Sequence, residues 1–134
     1  MREWIEIFDE SQMIEIHKLM KQEWWCSNRT LEEVSAVIIG SSLAIGVLDD
    51  DRSIVAFTRV LTDSTFKAIL FDVIVRNDKR KTGLGKEMIQ YVINHKALSG
   101  VKSIELYCPD HVSPFYKSLG FSVSDSKLHY MKKM

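Results

Sequence analysis

Apolar and polar residues alternate with two different periods along the chain, and each change of period marks a predicted element. Residues 2–8 alternate almost strictly, which is typical of a strand. The apolar residues between positions 13 and 20 instead recur three or four positions apart, which predicts a helix. Asp9 or Ser11 is the predicted N-cap, and this helix is expected to end near Gln22.

A capping box marks the start of a second helix. Thr30 and Glu33 have the spacing at which each side chain bonds the backbone of the other residue. Apolar residues then follow at helical spacing as far as Gly40, and glycine commonly ends a helix. The pattern therefore predicts a short helix between positions 30 and 40.

Three runs of β-branched and apolar residues lie between positions 42 and 75. Turn-forming residues separate these runs at positions 49–52 and 62–65. This spacing predicts an antiparallel meander of three strands. The third run, residues 66–75, is the most apolar, so we expect it to be the central strand of the sheet.

A helix and another strand follow the meander. Apolar residues from Leu84 to Ile93 form one stripe of a helix that is expected to end near Ser99 and Gly100. Residues 102–108 then have the composition of a strand, which completes a βαβ unit with parallel strands. The tail is expected to form a short helix, a glycine turn and one or two closing strands.

The predicted fold class is a mixed α/β (α+β) sheet that joins an antiparallel meander to a parallel βαβ unit, with helices on both faces. We expect about six or seven strands in that sheet. The length of 134 residues, with no linker-like stretch and no internal repeat, predicts a single domain over residues 1–134.

Charge and sequence character then limit the class of function. Eighteen cations balance eighteen anions, which argues against a nucleic-acid partner. No apolar run has the length of a membrane span and the N-terminus does not resemble a signal peptide, so the expected location is cytoplasmic, with no membrane partner. Cys26 and Cys108 are isolated thiols, and the four histidines lie too far apart along the chain to predict a metal site.

The stretch RKTGLGKEMIQYVINH, residues 80–95, begins a helix with two glycines among several cations. The unpaired N–H groups of a helix start attract anions, and Gly83 and Gly85 let a bulky phosphate approach the backbone. With the neighbouring cations, a diphosphate fits better than a carboxylate. The spacing excludes a P-loop, and Met88 stands where the dinucleotide fingerprint needs glycine or alanine. The alternative is a permissive turn that binds nothing.

Two flanking motifs give this helix start a family context. FDVIV precedes it, and FYKSLGF, residues 115–121, follows it. Arg80, Gly83 and Gly85 match a signature in which Arg or Gln is followed, after two residues, by Gly and, after one more residue, by Gly or Ala. With these motifs the chain resembles the GCN5-related N-acetyltransferase (GNAT) superfamily, which has this signature. The resemblance covers nearly the whole chain in the order of its elements.

The resemblance implies acetyl-CoA as the donor co-substrate and a primary amine of a small molecule or peptide as the acceptor. The strand before the glycines would pair with the pantetheine arm, and one of its N–H groups would polarise the thioester carbonyl. Tyr116 resembles the general acid that protonates the departing thiolate. The residues expected to hold the cofactor are Val73, Ile74, Val75, Arg80, Lys81, Thr82, Gly83, Leu84, Gly85 and Lys86.

The general base is open between several candidates. Asp72 comes first because an acid inside an apolar strand must either reach a cleft or have a buried partner. A structural role for Asp72 is the alternative. Glu105, His111 and ordered water are further candidates for the base.

The acceptor is expected near the first two helices, which cover that end of the cleft in the family. Trp24 and Trp25 are candidates for the wall of an amine pocket, and Arg59 is a candidate for binding an acidic group of the acceptor. Plain packing of the tryptophans and a solvated strand position for Arg59 are the alternatives.

The chain departs from the family pattern at Pro109. An asparagine that holds the pantetheine often stands there, so either Asp110 replaces this contact or the contact is lost. Members of the superfamily often pair their C-terminal elements, and residues 127–134 are expected to form an edge strand of a homodimer. A non-catalytic acyl-CoA-binding or regulatory module is the alternative function.

Overall fold

A five-stranded sheet forms the centre of the protein. The structure, a computed structural model, describes residues 2–124 and 127–134. The strands lie side by side in chain order, antiparallel except for the last pair, which is parallel. They are β1 (Glu3–Ile5), β2 (Leu43–Leu48), β3 (Ile54–Thr62), β4 (Lys67–Val75) and β5 (Ser103–Leu106).

Within the described residues, four α-helices cover the two faces of this sheet, and three short 3-10 turns link the elements. The helices are α1 (Glu10–Met20), α2 (Leu31–Gly40), α3 (Leu84–Ile93) and α4 (Ser113–Lys117), and the 3-10 turns are Asn77–Lys79, Lys96–Leu98 and Asp110–Val112. Apolar residues of α1 and α2 pack with Phe57 and Ile74 on one face. Apolar residues of α3 and Tyr116 of α4 pack on the other face. The predicted mixed sheet, with its meander, its parallel βαβ unit and helices on both faces, is confirmed.

Both predicted helix starts carry their caps. The side chain of Asp9 accepts a hydrogen bond from the backbone of Gln12, and the side chain of Gln12 bonds back to Asp9. Thr30 and Glu33 form the same reciprocal pair at the start of α2. These bonds satisfy backbone N–H groups that have no partner inside the helix.

The prediction that the third strand of the meander is central is wrong, because the central strand is β3. β4 pairs with β5 only from Lys67 to Leu70, and its residues alternate between buried and partly exposed. Its apolar sequence reflects helices on both faces rather than a central position.

The end of α3 and the tail also differ from the sequence prediction. α3 ends at Ile93 rather than near Ser99, because the side chain of His95 accepts the N–H of Ala97 and starts a separate 3-10 turn. In the described part of the tail, residues 121–124 and 127–134, there is no strand. The prediction of closing strands also covers residues 125–126, which lie outside the described residues. The sheet has five described strands instead of the expected six or seven.

The α1–α2 layer encloses one of the two free thiols. Cys26 is 3% exposed, and its thiol donates a hydrogen bond to the carbonyl of Met20 at 3.1 Å. Burial raises the pKa of this thiol to about 11. Cys26 is therefore a protonated packing residue at neutral pH.

Candidate active site

The two parallel strands separate at one end of the sheet. The β4–β5 pairing stops at Leu70 and Leu106, while β4 continues to Val75. Beyond β5 the chain passes through Pro109, which has no backbone N–H and so cannot extend the ladder as a donor. A cleft therefore opens along the last residues of β4.

Backbone groups of β4 point into this cleft. Arg76 donates its N–H to the carbonyl of Val55 at 2.8 Å, so the alternation of an antiparallel pair turns the backbone groups of Val73 and Val75 to the opposite edge. The carbonyl of Val75 is already taken by the side-chain amide of Gln22, at 2.8 Å, and by Arg80. Val73 is the position whose backbone is free for a partner in the cleft, within the part of the chain that the structure describes.

A β-bulge lies immediately before Val73. The register between β3 and β4 shifts so that Thr58 alone faces both Asp72 and Val73. Asp72 has a φ of 55°, in the left-handed region that non-glycine residues seldom occupy. Bulges bend a strand and re-aim a side chain, and this one turns the side chain of Asp72 toward the loop between α1 and α2.

The helix start beyond β4 has the conformation of an anion cradle. Gly83 is the N-cap of α3 with a φ of 85°, which a side chain would strain although nothing lies within 4 Å of a Cβ there. Backbone N–H groups from Lys81 to Lys86 donate no hydrogen bond to any described residue. Six consecutive donors, counted from 81 to 86, are therefore left without an acceptor among the described residues and are free for an anion.

The cations around the cradle fall into two groups. Lys81 and Lys86 are exposed and have no ion pair within the described residues. By contrast, Arg80 pairs with Glu23, and Lys79 pairs with Asp49 at 2.9 Å. Arg80 therefore also fastens the loop to the turn that follows α1, a role that its motif position did not indicate.

Tyr116 lies beneath the cleft on α4. Its ring packs edge-on against Phe115 and Phe121, with centroid distances of 5.0 Å and 5.9 Å, and its side chain is 8% exposed. Burial, with a smaller effect of the half-buried Cys108, raises the pKa of Tyr116 to about 12. No described residue hydrogen-bonds to its hydroxyl. The phenol is protonated at neutral pH and can donate a proton.

Asp72 is held by two arginines from different elements. Its Oδ2 accepts from Nη1 of Arg29 at 2.8 Å and from Nε of Arg59 at 2.7 Å, and its side chain is 4% exposed. Burial opposes the charge of Arg29, but the hydrogen bond and the charge of Asp72 outweigh burial and raise the pKa of Arg29. Arg59 is thus an ion-paired residue, not a solvated strand residue.

Arg29 was missed by sequence reasoning. It lies in the loop before α2, 43 positions from Asp72, and no local spacing marks it. Its guanidinium lies 6.0 Å from the ring centroid of Trp25, so Trp25 belongs to this cluster. Trp24 is 83% exposed and does not join the cluster.

The remaining candidates lie apart from the arginine cluster. Glu105 pairs with Lys67 at 3.5 Å on the parallel strands, and His111 is exposed in the 3-10 turn before α4. Asp110 begins that same turn after Pro109. The base role of Glu105 or His111 and the pantetheine contact of Asp110 stay predictions.

Comparison with known proteins identifies the family. The model of the acetyltransferase (GNAT) domain matches residues 41–123, and the chain belongs to this family. It is 30% identical over 112 residues to the "Uncharacterized N-acetyltransferase ycf52" of Pyropia yezoensis, a match that covers 81% of this chain and 64% of that relative. The chain therefore spans less than two thirds of the length of that relative.

Solved structures share the fold. A putative acetyltransferase of the GNAT family from Xanthomonas campestris pv. campestris superimposes with a TM-score of 0.85 at 28% identity, covering 100% of this chain and 93% of that one. An aminoglycoside 6'-N-acetyltransferase complexed with coenzyme A has a TM-score of 0.78 at 16% identity, covering 92% and 86%. No helix within the described residues has the length and apolar character needed to cross a membrane.

Proposed function

We propose that the protein transfers the acetyl group of acetyl-CoA to a primary amine by direct attack of the amine on the thioester. The observation that carries this proposal is the separation of β4 and β5 beside a helix start with unpaired N–H groups, with Tyr116 beneath. The membership of the GNAT family supports the same reaction.

Each part of the donor has a matching surface in the cleft. The diphosphate fits the N–H groups of residues 81–86, with Lys81 and Lys86 supplying charge. The pantetheine arm fits the open edge of β4, where the backbone of Val73 faces the cleft. Val73 is also the candidate donor of the N–H that stabilises the oxyanion.

The proton transfers then follow from the side chains present. The amine nitrogen bonds to the carbonyl carbon, the carbon–sulfur bond breaks, and the departing thiolate takes the phenolic proton of Tyr116. The proton lost by the amine passes to water or to Asp72.

Calorimetric titration with acetyl-CoA, CoA and NAD tests the donor. We expect micromolar binding of both CoA species and none of NAD, because the cleft fits an extended arm beside a diphosphate. Replacing Lys81 and Lys86 by Gln should weaken CoA binding about tenfold and reduce its dependence on salt. The matched control replaces Lys18 and Lys21, which are exposed at the end of α1. Absence of heat from all three ligands would overturn the proposal.

We also propose that the protein forms a homodimer through its C-terminal tail. The described tail residues make no strand, and the large apolar side chains Leu128, Tyr130, Met131 and Met134 are exposed there. β5 has no strand partner on its outer edge among the described residues. Sedimentation velocity at several concentrations tests this, and a monomer at all of them would contradict it.

A further inference from the structure

We propose that the acceptor amine carries an anionic group, a carboxylate or a phosphate, which binds to Arg29 and Arg59 beside the bulge of β4. This inference rests on the proposed acetyl transfer and names the class of its second substrate. The cluster of Arg29, Arg59 and Asp72 is here called the arginine pair site.

The arginine pair site has an excess of positive charge. Two guanidinium groups converge on a single oxygen of Asp72, which neutralises one of them. Glu33 also acts on Arg29, but its carboxylate bonds the backbone N–H of Thr30 at 2.9 Å. The site therefore keeps unpaired cationic hydrogen-bond donors.

Those donors reach solvent. Each guanidinium donates to Asp72 through one nitrogen only, Nη1 of Arg29 and Nε of Arg59, and no described oxygen accepts from the others. Every fully buried side-chain nitrogen or oxygen in the described residues has a hydrogen-bond partner. The unpartnered nitrogens of both arginines therefore keep some contact with solvent, the Arg29 side chain being 28% exposed and that of Arg59 12%. A planar fork of N–H groups matches a carboxylate or a phosphate.

The two arginines are also held in place before any ligand arrives. Arg59 lies 5.0 Å from the ring centroid of Phe71, and the ring nitrogen of His17 contacts the carbonyl of Arg29 at 2.8 Å. Asp72 fixes both guanidinium groups, so their side-chain entropy is already lost. A preorganised pair binds an anion with less loss of entropy than two mobile side chains would.

The position of the arginine pair site fits an acceptor. Asp72 directly precedes Val73, so the two Cα atoms are about 3.8 Å apart. Val73 is where the backbone of β4 faces the cleft, and the site opens toward the α1–α2 loop with the ring of Trp25 beside it. An amine with an anionic group a few bonds away can contact the arginines while its nitrogen reaches the thioester.

The test compares amines that differ only in the anionic group. Phosphoethanolamine is compared with ethanolamine, and β-alanine with its amide, in steady-state acetylation. We expect kcat/KM to be about tenfold or more higher for the anionic member of each pair, since charge-assisted hydrogen bonds to Arg supply a difference of this size. Equal values, or a preference for the neutral members, would overturn the inference while leaving acetyl transfer in place.

Variants of Arg29 separate substrate binding from a general loss of folding. Arg29→Gln should raise KM for the anionic amines about tenfold with little change in kcat. The KM of Arg29→Lys should lie between those of the parent and Arg29→Gln, because lysine keeps the charge but lacks the planar fork of N–H groups. Arg52→Gln is the control, since Arg52 is an exposed cation paired with Glu3 at the far side of the sheet. The affinity for CoA should not change in any of the three.

Failure of the inference can be told from failure of acetyl transfer. Phosphoethanolamine is titrated calorimetrically without any CoA species. Binding that is lost in Arg29→Gln and kept in Arg52→Gln supports the arginine pair site even if acetyl-CoA does not bind. No binding of phosphoethanolamine and no acetylation of either anionic amine would overturn it.

Discussion

The burial of the Tyr116 side chain bears directly on its proposed role as a proton donor. The same apolar contacts that bury the ring raise the pKa of its hydroxyl to about 12, so the phenol keeps its proton throughout the neutral range. A raised pKa also means that the folded state loses stability as pH rises from the ordinary value of 10.0 toward about 12. A general acid needs its proton at the start of each turnover, and burial secures it.

Replacing Tyr116 by Phe should lower kcat about 100-fold, because a positioned general acid contributes roughly 10² to 10⁴. CoA affinity should stay within about twofold, since the ring contacts remain. Stopped-flow kinetics and calorimetry on the same preparation measure both. Tyr107→Phe is the control, because Tyr107 is exposed and its ring packs edge-on against Tyr130. A kcat within a few-fold of the parent would favour the non-catalytic CoA-binding module.

The two glycines of the cradle should differ in how alanine changes the free energy of unfolding. Gly83→Ala should reduce the free energy of unfolding by about 1 kcal/mol, because Gly83 has a φ of 85°. In Gly85→Ala the new Cβ would lie 3.5 Å from Phe115 and Val75, an ordinary contact, and alanine favours a helix by about 0.5–1 kcal/mol. We therefore expect Gly85→Ala to be neutral or stabilising. Urea denaturation of both variants measures this, and equal losses would contradict it.

Residue roles were predictable where the contact is local or carried by a motif. Gly83 was singled out from the sequence because helix starts with glycine and cations have a general physical meaning. Arg29 was not, because its partner Asp72 is joined to it only by the fold. The ion pair of Arg80 with Glu23 was not predictable for the same reason, since only the fold brings these two residues together.

At the scale of the element, capping is the best-predicted feature. Thr30→Ala should reduce the free energy of unfolding by about 1 kcal/mol, because it removes the acceptor for the N–H of Glu33. Thermal unfolding followed by circular dichroism measures the loss. Thr65→Ala is a matched control, since Thr65 is exposed and only its backbone groups, the N–H and the carbonyl, are hydrogen-bonded. If both variants lose the same stability, the cap does not explain it.

Element ends and strand order were less predictable because tertiary contacts decide them. The apolar stripe of α3 continues beyond Ile93 in the sequence, yet His95 starts a new turn. Which strand is central depends on which strands pair, and the sequence does not state the pairing. In the structure β5 pairs with β4 along only about half of the length of β4. The bulge at Asp72 was not predictable, because the residue with positive φ there is not a glycine.

At the scale of the whole molecule, one polar contact ties the first strand to α3. Glu6 accepts hydrogen bonds from the hydroxyl of Tyr91 at 2.8 Å and from the ring of His95 at 3.0 Å. Trp4 stacks on Tyr91 with a centroid distance of 4.6 Å. This contact fastens the N-terminal edge of the sheet to the layer that carries the cradle.

The contact at Glu6 should make stability depend on acid pH. Burial raises the pKa of Glu6, but the hydrogen bonds from Tyr91 and His95 together outweigh burial and lower it below its ordinary value of 4.5. A carboxyl with a lowered pKa stabilises the fold above its unfolded pKa, and this stabilisation is lost as pH falls through the folded pKa. The melting temperature of Glu6→Gln should therefore fall less than that of the parent below about pH 4.5.

The control for Glu6 is Glu3→Gln, three positions earlier on β1. Glu3 pairs with Arg52, and both side chains are largely exposed, so this pair contributes little to stability. Parallel pH curves for the parent and Glu6→Gln would show that the contact is not linked to protonation of this carboxyl.

The two thiols differ in exposure, so their rates of alkylation can report on two different parts of the protein. A thiol reacts with alkylating agents as the thiolate, so Cys26, buried with a pKa of about 11, should resist labelling until the α1–α2 layer opens. Cys108 is only half-buried and lies beside Tyr116 at the cleft. Mass spectrometry after a brief exposure to iodoacetamide would then measure two processes in one sample. Labelling of Cys108 should slow when a ligand fills the cleft. Labelling of Cys26 should report local opening of the α1–α2 layer on the opposite face.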